Sequence, residues 1–124
     1  MELIDFLNKL EVPYQHLELF KEAFTHPSYA NENKTKKHDY ERLEFLGDAV
    51  LQYHVSRHLF DLYPDMPEGR LTKLRAKLVR EESLARFARE LNLGPLIYLG
   101  AGEINNGGRD RDSVLADIFE AFVG

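Results

Sequence analysis

Glu41, Glu44 and Asp48 put three carboxylates into a stretch, HDYERLEFLGDAV, that otherwise reads as a helix entering a hydrophobic core. At 100° per residue the three acids fall within about 60° of one another, while Leu43, Leu46, Val50 and Tyr53 gather on the opposite side. Like charges at this spacing repel by roughly 0.2–0.5 kcal/mol per pair, and Asp is a mediocre helix former, so nothing local favours the arrangement. A counter-charge from elsewhere is implied. The last helix, within DSVLADIFEAFVG, repeats the pattern: Val114, Leu115, Ile118, Phe119 and Phe122 form an apolar face, and Asp117 and Glu120 project from the other side. If the two helices pack side by side, Glu44, Asp48, Asp117 and Glu120 converge, and carboxylates so concentrated require a hard divalent cation such as Mg²⁺. The alternative is two solvated acidic helix faces.

The residue types narrow the choice of metal. A di-iron bundle would need Glu-x-x-His pairs, and the sequence contains none. A zinc site would want clustered histidines, whereas His16, His26, His38, His54 and His58 are scattered, with a single helical i,i+4 pair at His54 and His58. That pair lacks the Glu of a His-Glu-x-x-His motif and reads as packing or surface. All-oxygen ligation favours Mg²⁺ or Mn²⁺.

A second chemical feature is basic. In GRLTKLRAKLVR, Arg70, Lys73, Lys77 and Arg80 share one helical face, with Leu71, Leu74 and Leu78 on the other. Such a stripe can follow a phosphate backbone without reading its sequence, or it is simply a solvated face. No Gly-x-x-x-x-Gly-Lys phosphate loop is present, and the glycines at 107 and 108 read as an ordinary surface connection. Two further residues stand out in the acidic helix. Phe45 lies about 40° from Glu41, at the edge of the carboxylate face, where either a partner subunit or a neighbouring helix must cover it. Gly47 costs about 1 kcal/mol relative to Ala in a helix interior and so points to close approach by another backbone or a ligand.

The elements that must hold these residues are helices. Apolar spacing predicts short helices over Glu2–Leu10 and His16–Phe24, then a loop through THPSYANENKTKKHD ending at Asp39 as the N-cap of the acidic helix, which runs to about Leu62. YPDMPEG interrupts the chain, and Glu68–Arg80 and Glu82–Leu91 follow as two helices with a bend between them. NLGPL turns, GAGEINNGGRDRD reads as a loop, and Asp112 or Ser113 caps the final helix. No apolar/polar alternation supports a strand, so the fold class is all-α.

Composition sets the frame. The chain has 124 residues, 44% hydrophobic and 30% charged, which suits one domain. No apolar run approaches the ~18 residues of a membrane span, and the start lacks the pattern of a signal peptide, so a cytoplasmic location with no membrane partner is expected. The absence of cysteine rules out disulfides, thiolate metal sites and a cysteine nucleophile. A net charge of −5 has the wrong sign for holding nucleic acid by bulk electrostatics. Between Arg70 and Arg89, however, seven basic residues face two acidic ones, so the positive charge is local.

ERLEFLGDAVL, Glu41 to Leu51, resembles the signature motif of the ribonuclease III family, and DSVLADIFEAFVG resembles its second acidic motif. AFTHPSYANE, PEGRLTKLRAKLVREESLA and a Gly-Gly-Arg before the final helix extend the resemblance over nearly the whole chain in the expected order. The resemblance implies a compact, multi-helix endonuclease domain over residues 1–124 that forms a homodimer and cleaves double-stranded RNA. Its cofactor would be Mg²⁺, for which Mn²⁺ can substitute. Glu44, Asp48, Asp117 and Glu120 would be the metal ligands, with Asp48 and Glu120 central to catalysis, and Glu41 and Glu68 would be further cleft carboxylates. Phe45 would be the aromatic knob entering a partner's socket, and the basic stripe read from spacing, Arg70, Lys73, Lys77 and Arg80, is the candidate RNA-facing set beside that carry-over. The products would carry a 5′-phosphate and a 3′-hydroxyl with short 3′ overhangs, in maturation of ribosomal RNA precursors and other RNAs. Full-length bacterial members usually continue into another helix and a double-stranded RNA-binding domain, so a C-terminally truncated catalytic domain is expected.

Overall fold

A computed structural model of the chain describes residues 2–33 and 38–124. It is helical, as expected: α1 (Leu3–Lys9), α2 (Leu17–Ala23), α3 (Pro27–Asn33), α4 (Glu41–Leu62), α5 (Glu68–Val79), α6 (Glu81–Glu90), α7 (Ala101–Asn105) and α8 (Asp112–Val123). Single 3₁₀ turns lie at Gly94–Leu96 and Gly108–Asp110. Among the described residues the sole β-type pairing is an isolated parallel bridge between Thr25 and Tyr98. No described helix is long and apolar enough to cross a membrane.

Burial, more than intrinsic helix preference, holds α8 at the centre, because isolated helices of this length are marginal in water. It packs between α4 and α6. Val114, Leu115 and Ile118 are buried there with Phe6 and Leu7 of α1, Ala85 and Ala88 of α6, and Leu93 and Ile97 of the following turn. Phe122 closes one end, its ring centroid 5.8–6.1 Å from those of Phe6, Phe20 and Phe24 in tilted arrangements that aromatic rings favour.

Two expected loops contain helices. Pro27 begins α3 instead of breaking the chain: its missing N–H is not needed in a first turn, and the N–H groups of Tyr29 and Ala30 donate to the His26 carbonyl. Residues 34–37 of the expected polar loop lie outside the described residues. GAGEINNGGRDRD likewise contains α7, which packs against α3, and the Gly100 N–H donates to Ser28 Oγ at 2.9 Å. Gly107, at φ 73°, makes the turn after α7 in the left-handed region that glycine tolerates. The expected caps shift too. Asp39 Oδ1 accepts the Glu41 N–H at 2.9 Å from outside α4, so Tyr40 occupies the cap position. Neither Asp112 nor Ser113 caps α8; Arg111 precedes it, and Asp112 instead accepts a 2.6 Å hydrogen bond from Arg89. The bend between α5 and α6 is a single extended residue, Arg80.

The expected packing face of α4 is only partly covered. Leu43 packs against the core, but Leu46 and Tyr53 are exposed. Tyr53 (61% exposed), Phe60 (68%) and Phe45 (83%) share the outer side of this helix, so among the described residues no helix covers Phe45. Helix α5 lies against α4 and α6 with no residue fully buried.

Candidate metal centre

The approach of α4 to α8 is made possible by Gly47. A Cβ at this position would collide with the carbonyl oxygen of Glu120, so the two backbones touch where any larger residue would separate them. The glycine noted in the sequence therefore accommodates another backbone, and that contact lies one turn from Glu44 and beside Glu120.

As a result, carboxylate oxygens of Glu44, Asp117 and Glu120 lie within 4.8 Å of one another, each side chain half-buried. Asp48, exposed at the rim, lies beside Glu120. Among the described residues no Lys or Arg is ion-paired with any of these four. Burial, then the hydrogen bond and charge of Asp48, push Glu120 up to about 8. Burial and the adjoining Asp117 push Glu44 up to about 7. Burial also raises Asp117, against hydrogen bonds with Tyr40 and Glu44 and the charge of His26, which pull it down. Acids this close cannot all ionise unless a cation is supplied, and the oxygen donors, partial burial and lack of a basic partner fit a hard divalent metal. Of the two arrangements open in the sequence, Glu44, Asp117 and Glu120 converge half-buried, whereas Asp48 keeps an exposed side chain.

The other sequence candidates fall elsewhere. Glu41 is exposed at the start of α4, where its contact with Asp39 raises its pKa. Glu68 opens α5, accepting a 3.3 Å hydrogen bond from the Thr72 hydroxyl. It lies beyond the far end of α4, about 27 Å of helical rise from Glu44, so it is not part of its own chain's cluster. Arg70, Lys73 and Lys77 are exposed on one face of α5 and, with Met66 and Leu74, line a shallow groove of about 410 Å³. Arg80 leaves that stripe: it sits in the extended link, its guanidinium 3.9 Å from Glu82. His54 and His58 are both exposed, in keeping with their surface reading.

Two residues near the site were not singled out from the sequence. Tyr40 is buried, and its hydroxyl donates to Asp117 Oδ2 at 3.0 Å. His26 stacks edge-on against the Tyr40 ring, with centroids 5.8 Å apart. A hydroxyl donor immediately before a run of acceptors was the available signal for Tyr40.

Residues 16–124 match the family described as Ribonuclease-III-like. Ribonuclease 3 of Bacillus cytotoxicus is 57% identical over 120 residues, a span covering 96% of this chain and 49% of that protein. Ribonuclease 3 of Bacillus cereus strain AH187 is 56% identical over the same coverage. The chain thus spans about half the length of the curated relatives it matches. Among solved structures, two of the nuclease domain of ribonuclease III from Campylobacter jejuni are similar to it. One has a TM-score of 0.86 and 41% identity, covering 97% of this chain and 78% of that one. The other, with a TM-score of 0.85, 42% identity and coverage of 94% and 78%, concerns flexibility in a region of that protein involved in dimer formation. With its helical fold and its paired acidic helices, the chain belongs to the ribonuclease-III-like family.

Proposed function

We propose that this chain is a divalent-metal-dependent endonuclease domain that cleaves double-stranded RNA as a homodimer. The observation that carries the reading is the convergence of Glu44, Asp117 and Glu120, with Asp48 at the rim, where two helix backbones touch. Those four carboxylates would hold Mg²⁺, with Mn²⁺ as a substitute. A divalent ion bound there supplies a lowered pKa for water and charge stabilisation at a phosphate. The protein's own part is to fix the oxygens: Gly47 sets the helix separation, and Tyr40 and the partial burial of the acids limit their freedom.

Substrate selection rests on shape. A-form RNA presents a shallow minor groove and a regular phosphate backbone, so a pair of sites with nearby cations recognises it largely without reading bases. Arg70, Lys73 and Lys77 supply those cations, and Arg80 adds a charge from the adjacent link. If they contact phosphates, the double substitution Lys73→Glu with Lys77→Glu weakens duplex RNA binding and lowers the salt slope by about one to two per protomer. Binding measured between low and moderate salt checks this; an unaltered slope would make the stripe a solvated face.

The outer face of α4 accounts for the dimer. Phe45 lies near the start of that helix, and a cavity of about 340 Å³ lined by Tyr63, Met66, Pro67 and Arg70 lies just past its end. A twofold axis that pairs two α4 helices antiparallel brings each Phe45 toward the other copy's cavity, as an isologous interface requires. The same pairing carries each copy's Glu68 toward the other's Glu44 end, beside Glu41, which is how both become cleft carboxylates. Phe45→Ala is expected to cost on the order of 2–4 kcal/mol of dimer stability. Sedimentation over a dilution series measures it, and equal affinities for variant and parent would remove Phe45 from the interface.

Two such sites facing one minor groove would cut opposite strands and leave 5′-phosphate and 3′-hydroxyl ends with short 3′ overhangs. Structured ribosomal RNA precursors are substrates of this class. Incubating the chain with a long RNA duplex and Mg²⁺ tests the reading. Short duplex products that disappear on chelation support it, whereas stable binding without cleavage at saturating protein and metal would make the chain an RNA-binding relative.

A further inference from the structure

We infer that Tyr40 is a positioning residue for the metal centre, holding Asp117 in ligating orientation through its hydroxyl. This rests on the metal-binding reading above. The Tyr40 O–H donates to Asp117 Oδ2 at 3.0 Å across 77 residues of sequence. A carboxylate has two oxygens, so Tyr40 can hold one of them and fix the orientation of the group while an oxygen remains available to a cation. Hydrogen bonds from outside the coordination shell orient ligating side chains in this way, and their loss typically lowers metal affinity about 10- to 100-fold.

Tyr40 can serve as a fixed point because it is itself held on three sides. Its side chain is 5% exposed, and its backbone N–H donates to the Thr25 carbonyl at 2.9 Å. Its ring meets the imidazole of His26 at an interplanar angle of 74°. That imidazole is oriented in turn: Nδ1 lies 2.7 Å from Ser28 Oγ and accepts the Ser28 N–H at 3.0 Å. Because Nδ1 accepts the Ser28 N–H, it is the acceptor toward the Ser28 hydroxyl too, while Ser28 Oγ accepts the Gly100 N–H at 2.9 Å. A continuous set of contacts thus runs from Gly100 through Ser28, His26 and Tyr40 to Asp117. The turn holding His26, and the short helices α3 and α7, thereby brace a carboxylate on α8.

Mn²⁺ titrations followed by electron paramagnetic resonance and calorimetry, without RNA, test the inference on the parent chain, Tyr40→Phe, Asp117→Asn and the double variant. Tyr40→Phe is expected to weaken Mn²⁺ binding about 10- to 100-fold while melting like the parent without metal. In the Asp117→Asn background the same change should have no further effect on the residual affinity. Equal Mn²⁺ affinity for Tyr40→Phe and the parent would overturn the role of Tyr40 and leave the metal site standing. No saturable binding by the parent would overturn the metal reading, and this inference with it. If Tyr40→Phe does not fold, the near-ultraviolet difference spectrum of the parent decides. A tyrosine perturbation that saturates with the Mn²⁺ isotherm supports the contact, and a flat spectrum at full occupancy overturns it.

Discussion

Glu120→Gln is expected to reduce RNA cleavage by on the order of 10³-fold or more while RNA binding is kept or strengthened. The amide preserves the shape of the side chain but removes a full negative charge from the set that would hold the cation, a loss on the scale of deleting a group that stabilises transition-state charge. Retained binding follows because one fewer carboxylate faces the phosphates. The same variant has a signature in the metal-free protein. Burial and Asp48 lift Glu120 in the folded state to about 8, from an ordinary value of 4.5. The folded protein therefore binds more protons than the unfolded chain between those values, and stability falls as pH rises through that window. Gln imitates the protonated form. The variant should melt with the parent near pH 4.5 and above it near pH 8, and added Mg²⁺ should reverse the order by stabilising only the parent. Cleavage assays with thermal melts at both pH values measure all of this; parental activity at limiting Mg²⁺ would remove Glu120 from the site.

Gly47→Ala should cost more than its chemistry suggests. In an exposed helix the change would gain about 1 kcal/mol of helix preference. Here the added methyl would occupy the place of the Glu120 carbonyl oxygen, and the backbone of Gly124 is also close by. A side-chain tip could rotate away, but a helix backbone moves only with the helix. Separating α4 from α8 disturbs the packing that buries Leu43 and Ala121 and draws Glu44 away from Asp117 and Glu120. Overpacking of this kind costs roughly 1–3 kcal/mol and sometimes more. The expected result is a net loss of about 2 kcal/mol, a melting temperature lower by roughly 6–10 °C and weaker metal binding. A variant as stable as the parent would show that the two backbones do not meet at Gly47.

The acidic helices were legible in the sequence because their anomaly is local. Three acids on one face of α4 and two on α8 are visible from spacing alone, and Gly47 marks the contact that joins them. The two short helices α3 and α7 were not legible because little within either segment specifies a helix: each is one or two turns long and is held by the other and by the Ser28–Gly100 hydrogen bond. Pro27 was ambiguous in the same way, since it opens helices as readily as it interrupts them. The periodicity of α4 indicated an apolar stripe but not what lies against it, so Leu46 and Tyr53 read as core and emerged exposed. Tyr40 acts through Asp117, 77 positions away, a relation that appears only when α4 and α8 are set side by side.

The sparse burial of α5, and the uncovered aromatics along the outer half of α4, divide the molecule into a well-packed body and a thinly anchored helical hairpin. Beyond the contact with α8, Leu59 is the one fully buried residue of α4. Segments with few buried apolar contacts open at a lower free energy than the whole molecule does. In the proposed pairing, the missing contacts come from the same hairpin of a second copy, so the ordering of this region is linked by mass action to association. The proposed phosphate contacts, one edge of the proposed pairing face and the proposed cleft carboxylate Glu68 would all reside on this sparsely buried part of the chain. If the chain pairs in that way, its melting temperature has a definite meaning only at a stated protein concentration, and dilution would loosen the proposed RNA-facing surface before it disturbed the carboxylates on α8.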